Sequence, residues 1–263
     1  MFDVVEVNTS FYRPPAPELA EGWLRKSRGG FVFTVKVWRR LTHEAAPFAE
    51  SEARPFKAGI EPLRRAGALG CLLAQFPWSF RDTPANRGRI RTLRGAFEGE
   101  ELVVEVRHAS WNTDEALAFL RGLGVGFCNI DAPASSEGLT GTRHLTSATA
   151  YVRLHGRNRK AWFDPAAGRD EKYNYLYSEA ELSEWIDAVR EMERRGAPRV
   201  FVIANNHYGG QAVANALQIK AALSGAPVDV PDELLRAFPQ LSGIARKAPA
   251  QPGLFGSVGG FAS

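Results

Sequence analysis

Seven short runs, apolar on both faces and separated by longer amphipathic stretches, dictate what this chain can fold into. The runs are Val4–Asn8, Phe31–Val37, Cys71–Phe76, Leu102–Arg107, Gly126–Asp131, Ala150–Gly156 and Arg199–Asn206. Strands of that character belong in a parallel sheet covered by helices. The stretches between them predict helices at Pro17–Ser27, Ala49–Ala66, Ala85–Phe97, Asp114–Leu123, Glu181–Arg195 and Gln211–Leu223. Pro17 suits a first helical turn, Thr113 an N-cap, and Gly196 and Gly225 sit where C-caps belong. Alternation on this scale builds βαβ units, and 263 residues is a length that one α/β barrel fills.

The expected fold is therefore α/β: a TIM-type (β/α) barrel lacking its first strand, since seven strands are visible and the first begins almost at Met1. An open seam would leave unpaired edges beside Val4–Asn8 and Arg199–Asn206. The expectation is that the natural gene begins upstream of Met1, or that another segment fills the gap. The barrel domain spans 1–225. From 226 to 263 the chain turns rich in Pro, Gly, Ala and Ser, which predicts a largely flexible C-terminal extension with one short helix at Asp232–Ala237. Two connections, 132–149 and 157–178, show no clear helical pattern.

Hydrophobic residues at 44% and charged residues at 24% allow a sizeable core. A net charge of +4 tolerates an anionic partner without demanding one. Cys71 and Cys128 lie in apolar runs with no C-x-x-C spacing, as buried free thiols in a reducing compartment do. No secretory signal and no apolar run of about 18 residues is present, so a cytoplasmic protein with no membrane partner is expected. The P-loop, the Gly-rich dinucleotide fingerprint, the G-x-S-x-G elbow and the zincin H-E-x-x-H are all missing.

Chemistry in such barrels lies at the C-terminal ends of the strands. Here those ends carry Glu6 and Asn8, Lys36, Gln75, Glu105 with Arg107 and His108, Asp131, Arg153 with His155, and Asn205, Asn206 and His207. Each alone reads as a satisfied buried ion pair or hydrogen bond. Together they read as one cavity, because buried charges cost several kcal/mol each unless paired. Glu105 and Asp131 are acid or base candidates, and His155 and His207 proton carriers near neutral pH. Lys36 either pairs with Glu105 or Glu6, neutralises an anion, or forms a Schiff base. Glu6, Asn8, Gln75, Arg107, Arg153, Asn205, Asn206 and Tyr173 are substrate-binding candidates. His43, in the loop after the second run, either reaches the cavity or is solvated. A divalent metal on His155, His207 and Asp131 has no support from local spacing, and no cofactor is identified.

Two loops suit an anion. Asn205-Asn206-His207-Tyr208-Gly209-Gly210 leads into a helix N-terminus. The stretch 156–178 interleaves Arg157, Arg159, Lys160, Arg169 and Lys172 with Trp162, Phe163, Tyr173, Tyr175 and Tyr177. That mixture suits either nucleotide phosphates and bases or a lid packed on the barrel. In the tail, Gln251, Leu254 and Phe255 have the Gln-x-x-Leu-Phe form that resembles bacterial sliding-clamp-binding peptides.

Six ordered motifs carry a further resemblance: Val5–Pro14 (VEVNTSFYRP), Phe33–Lys36 with Thr42-His43, Gln75-Phe76-Pro77, Val104–His108 with Ser110-Trp111, Tyr151–Gly156, and Asn205-Asn206-His207. Over roughly residues 2–224 the chain resembles the YecE-like family, domain of unknown function 72. The resemblance implies a TIM-type barrel and no assigned activity. Members of that family usually open with an extra strand, a Gly-Thr-Ser-Gly-like turn and an aromatic-rich segment, which this sequence lacks, and with them part of the site's rim.

The expected function is an enzyme acting on a phosphate-bearing substrate, a nucleotide or nucleic acid, by acid/base hydrolysis. The alternatives are a non-catalytic nucleic-acid or metabolite binding module tethered to the sliding clamp, and a sugar-type lyase or isomerase using Lys36.

Overall fold

The computed structural model describes residues 2–133 and 135–247. Seven parallel strands form one sheet in sequential order, β1 (Val4–Val7), β2 (Val32–Lys36), β3 (Leu69–Gln75), β4 (Leu102–Glu105), β5 (Gly126–Asp131), β6 (Thr149–Leu154) and β7 (Arg199–Ala204). The sheet curls into a nearly closed barrel. β1 and β7 are its two edges, and no hydrogen-bonded ladder joins them. A groove of about 240 Å³ marks this seam, walled by Val4, Glu6 and Asn8 on one side and Ile203 and Asn205 on the other.

The helices around the sheet are α1 (Pro17–Lys26), α2 (Arg39–Thr42), α3 (Arg54–Arg65), α4 (Pro84–Ala96), α5 (Asp114–Gly122), α6 (Arg159–Phe163), α7 (Arg169–Lys172), α8 (Glu179–Arg194) and α9 (Gln211–Ser224). Their starts are set by local chemistry. Pro17 occupies the first turn of α1, and the side chains of Thr83, Thr113 and Ser178 accept the N–H of Asn86, Ala116 and Glu181. Apolar side chains such as Phe56, Leu63, Leu93, Leu120 and Trp111 fill the layer between helices and sheet.

The connection 157–178, expected to lack helix, contains α6 and α7. Both are one-turn helices, too short to show a period. The stretch from 226 is folded as far as residue 247, although its Pro- and Gly-rich composition points to flexibility. It forms β8 (Val228–Val230), α10 (Asp232–Ala237), a 3-10 turn at Pro239–Ile244 and β9 (Ala245–Lys247), with β8 and β9 paired in parallel. Val228, Val230, Phe238 and Leu241 bury themselves against Ala214, Leu217 and Ala221 of α9. The clamp-like residues Gln251, Leu254 and Phe255 lie outside the described residues.

Inside the barrel the floor is apolar: Cys71, Leu73, Val103, Cys128, Tyr151 and Phe201 form one cluster. Both cysteines there are free. The register slips between Phe33 and Thr34, so that Phe33 opposes Leu69 while Thr34 opposes Cys71. Gly70 is the extra residue. A Cβ there would stand 2.6 Å from Val32 Cγ1 and 2.7 Å from the Phe201 ring. This bulge keeps Cys71, Leu73 and Gln75 in phase with the inner face.

Candidate active site

Alternation along the strands decides which polar residues enter the barrel. On the face shared with the apolar floor stand Glu6, Thr34, Lys36, Gln75, Glu105, Tyr151 and Arg153. Arg107, His155 and Asn205 continue that phase just past their strands. The other phase points into the helical layer and takes Asp131 and Asn206 with it.

The inner residues form one connected network. Arg153 spans two carboxylates, with Nη2 2.7 Å from Glu6 Oε1 and Nη1 2.5 Å from Glu105 Oε2. Arg107 donates Nε and Nη2 to the other Glu105 oxygen at 2.9 and 2.7 Å. Tyr151 donates its hydroxyl to Glu6 Oε2 at 2.8 Å and lies 2.9 Å from the Thr34 hydroxyl. Glu105 and Arg153 are buried. Burial pushes the Glu105 carboxyl up, but Arg153 and Arg107 outweigh it and hold the group well below the usual carboxylate range. Glu105 is thus a fixed anion that positions two guanidiniums, rather than the acid or base expected from its place in the sequence.

His155 is 1% exposed. Its Nδ1 lies 3.1 Å from Asn205 Nδ2, while Nε2 has no hydrogen-bond partner among the described residues and stands 3.8 Å from Glu105 Oε1. Burial, then Arg153, push its pKa well below that of free histidine, so the ring is neutral. Oriented so, the Asn205 amide donates to Nδ1, which leaves the ring hydrogen on Nε2. A cavity of about 220 Å³ is walled by His155, Arg107, Ile130, Trp78, Trp162 and Phe163. Tyr173 stacks obliquely between His155 and His207, with ring centroids 6.0 and 5.1 Å away, and Trp162 meets it edge-on. Of the two readings of the 156–178 loop, these contacts favour the lid.

Lys36 pairs with neither Glu105 nor Glu6 among the described residues, because Arg153, Arg107 and Tyr151 already occupy both carboxylates. Its Nζ lies 4.3 Å from the centroid of Phe11. Burial, then the nearby Arg153, lower its pKa to about 8. His43 reaches the same corner: its ring packs edge-on to Phe11 at 4.8 Å and its Nδ1 is 3.0 Å from the Thr42 hydroxyl. Burial, then Lys36, lower the His43 pKa to about 4.

Several expected members are elsewhere. Asp131 faces α8, accepting the Trp185 indole N–H at 2.7 Å and pairing with Arg157 at 2.8 Å. Arg157 is shared with Glu181 and Glu184, so it is not offered to a ligand. Asn206 donates to the Tyr175 carbonyl and to Asn215 Oδ1, tying the loop to α9. His207 is exposed at the rim, 3.4 Å from Asp170. Gly209 and Gly210 both take positive φ ahead of α9, as an anion-binding turn would, yet Gly210 lies against Phe238 and Leu234 of the C-terminal segment. Asn8 is exposed beside the seam. His108 Nδ1 accepts the Ser110 N–H at 3.1 Å, while its Nε2 lies 3.7 Å from Glu137 Oε2 with no hydrogen-bond partner among the described residues. Among the described residues no three His, Cys, Asp or Glu side chains converge as a metal site would require. No helix among them is long and apolar enough to cross a membrane.

Reading the sequence missed Trp78, Tyr151 and Thr34. Tyr151 was legible by phase, being two residues before Arg153, whereas Trp78 sits in a loop where no period applies.

Residues 1–239 match the family described as Protein of unknown function DUF72. The chain is 29% identical over 232 residues to the UPF0759 protein YunF of Bacillus subtilis strain 168, covering 83% of this chain and 82% of that protein. It is 31% identical over 127 residues to the UPF0759 protein YecE of Escherichia coli K12, 46% of this chain and 45% of that protein. A crystal structure of a DUF72 family protein from Thermotoga maritima superposes with a TM-score of 0.77 at 37% identity, over 85% of both chains. One from Enterococcus faecalis V583 superposes with a TM-score of 0.77 at 26% identity, over 87% of this chain and 86% of that one.

Proposed function

This chain belongs to the DUF72 family of proteins of unknown function, and since kinship names no reaction, we propose from the site itself that it is an enzyme acting on a small phosphate-bearing molecule. The observation that carries the reading is the buried His155 Nε2, which has no hydrogen-bond partner among the described residues, on a side chain that lines one cavity with Arg107. A buried polar atom is seldom left unpaired, because its desolvation goes uncompensated. A substrate oxygen at that position satisfies it.

Charge supports an anion. The inner site holds three cations, Lys36, Arg107 and Arg153, against two carboxylates, Glu6 and Glu105. Arg107 lines the cavity and has given two of its N–H groups to Glu105, and its remaining donors belong to a planar group that suits phosphate. His155, with hydrogen on Nε2, donates to an oxygen of the bound molecule and moves a proton as that oxygen gains charge.

Size supports a small molecule over nucleic acid. About 220 Å³ is below the roughly 300–1,000 Å³ typical of sites for drug-sized ligands. In the lid, Arg157 and the aromatic side chains of Trp162, Tyr173 and Tyr177 are engaged within the protein rather than displayed as a stacking platform.

The test is binding of inorganic phosphate by calorimetry, together with a panel of phosphomonoesters and phosphodiesters assayed with and without divalent metals. Phosphate is expected to bind with Kd of about 1 mM or tighter, and Arg107→Ala to weaken it at least about tenfold. His155→Gln should retain binding and lose turnover. If Arg107→Ala binds phosphate as wild type does, the reading is wrong.

A further inference from the structure

We propose that Lys36 is an amine nucleophile that condenses with the carbonyl carbon of a phosphorylated aldehyde or ketone, a substrate class that rests on the phosphate reading above. The argument begins with what Lys36 does not do. A lysine placed among carboxylates inside a barrel ordinarily pairs with one. Here Glu6 is held by Arg153 and Tyr151, and Glu105 by Arg153 and Arg107, so the amine finds neither. It lies instead over the Phe11 ring at the inner end of β2.

A purely structural lysine has little reason to be there. One face-on aromatic contact is weak recompense for stripping water from an ammonium, and Leu or Met would fill the same space at no electrostatic cost. The arrangement does favour the neutral amine. With a pKa lowered to about 8, roughly a tenth of Lys36 is unprotonated at pH 7, against fewer than about one in a thousand for an ordinary lysine.

The step balances without an external oxidant or reductant. The Nζ lone pair forms a bond to the carbonyl carbon, and the π pair moves to oxygen, which takes a proton. The nitrogen loses one of its hydrogens, and the carbinolamine expels water to leave a protonated imine. Amine, carbonyl compound and one proton thus become iminium and water. The iminium accepts the electron pair of a bond broken next to the former carbonyl carbon, which places the reaction among lyases, aldolases and isomerases rather than hydrolases. His43, which packs on the same Phe11 ring, is neutral and next to the amine's surroundings.

The experiment is borohydride trapping with D-glyceraldehyde 3-phosphate and D-ribose 5-phosphate, beside unphosphorylated glyceraldehyde and ribose, with the adduct mapped by peptide mass spectrometry. Inorganic phosphate binding is measured on the same preparation. The expected result is an adduct on Lys36, formed at least tenfold more readily with the phosphorylated compounds and suppressed by inorganic phosphate. Lys36→Arg, checked for native circular dichroism, should give no adduct at this site. Phosphate binding without any Lys36 adduct would overturn the inference and leave the phosphate reading standing. A Lys36 adduct that forms equally with both kinds of sugar, on protein that binds no phosphate, would overturn the phosphate reading and with it the substrate class proposed here.

Discussion

Glu105 illustrates how one residue's role depends on what surrounds it. A carboxylate at a barrel strand end reads as an acid or base, yet two guanidiniums hold this carboxyl well below the usual carboxylate range. Glu105→Gln leaves Arg153 and Arg107 facing an uncharged group in a buried place. Loss of one partner from such a cluster costs about 3–5 kcal/mol, and urea denaturation of the variant should show it. A loss under about 1 kcal/mol would mean that water reaches the cluster. The sign with pH follows from the direction of the shift. Because the folded pKa lies below the unfolded one, the stabilisation is present above about pH 4.3, the ordinary glutamate value, and is lost as pH falls further. Wild type and Glu105→Gln should therefore converge in stability under acid. For Lys36 the folded pKa is lowered to about 8, so its reaction with an amine-specific reagent should rise with a midpoint near pH 8. A midpoint near that of the other lysines would remove the argument for an activated amine.

At the scale of elements, phase along a strand sorts the site more sharply than residue type does. In β5, Cys128 belongs to the barrel floor and Ile130 to the cavity wall, so Asp131 must point out toward α8. The same count was available in the sequence from Cys128 onward, and it contradicts Asp131 as a member of the inner site. Asp131→Asn keeps an acceptor for Trp185 but removes the charge that holds Arg157. A destabilisation of about 1–3 kcal/mol is expected, with phosphate binding unchanged. Loss of phosphate binding in that variant would show that the outward face takes part after all. The lid elements α6 and α7 carry no comparable pattern, and only their contacts with His155 and His207 reveal which way Trp162 and Tyr173 face.

For the whole molecule, the C-terminal segment changes what counts as the folded unit. Composition placed the end of the ordered barrel near residue 225, but four buried side chains of the next segment cover α9. Each is worth about 1.5–3 kcal/mol when fully buried, before the cost of ordering the backbone is set against it. Truncation after Gly225 should therefore lower Tm, at about 2–4 °C for each kcal/mol lost, and expose a dye-binding apolar face on α9. An unchanged Tm would show that the segment merely rests there. At the seam between β1 and β7, neither edge finds a ladder partner among the described residues.

The seven strands, six of the principal helices and the choice of a barrel were legible in the sequence, because each follows from local periodicity that does not depend on distant partners. So was the inner set Glu6, Lys36, Glu105, Arg107, Arg153 and His155, since strands in a barrel have only two faces. What remained hidden was pairing. Whether Arg153 or Lys36 takes the two carboxylates depends on side-chain reach across the barrel, between residues as far apart in the chain as Glu6 and Arg153. No local pattern encodes that distance. Tertiary packing decided that the arginines hold the acids, that the lysine is left unpaired by a carboxylate, and that His155 Nε2 is buried with no hydrogen-bond partner among the described residues.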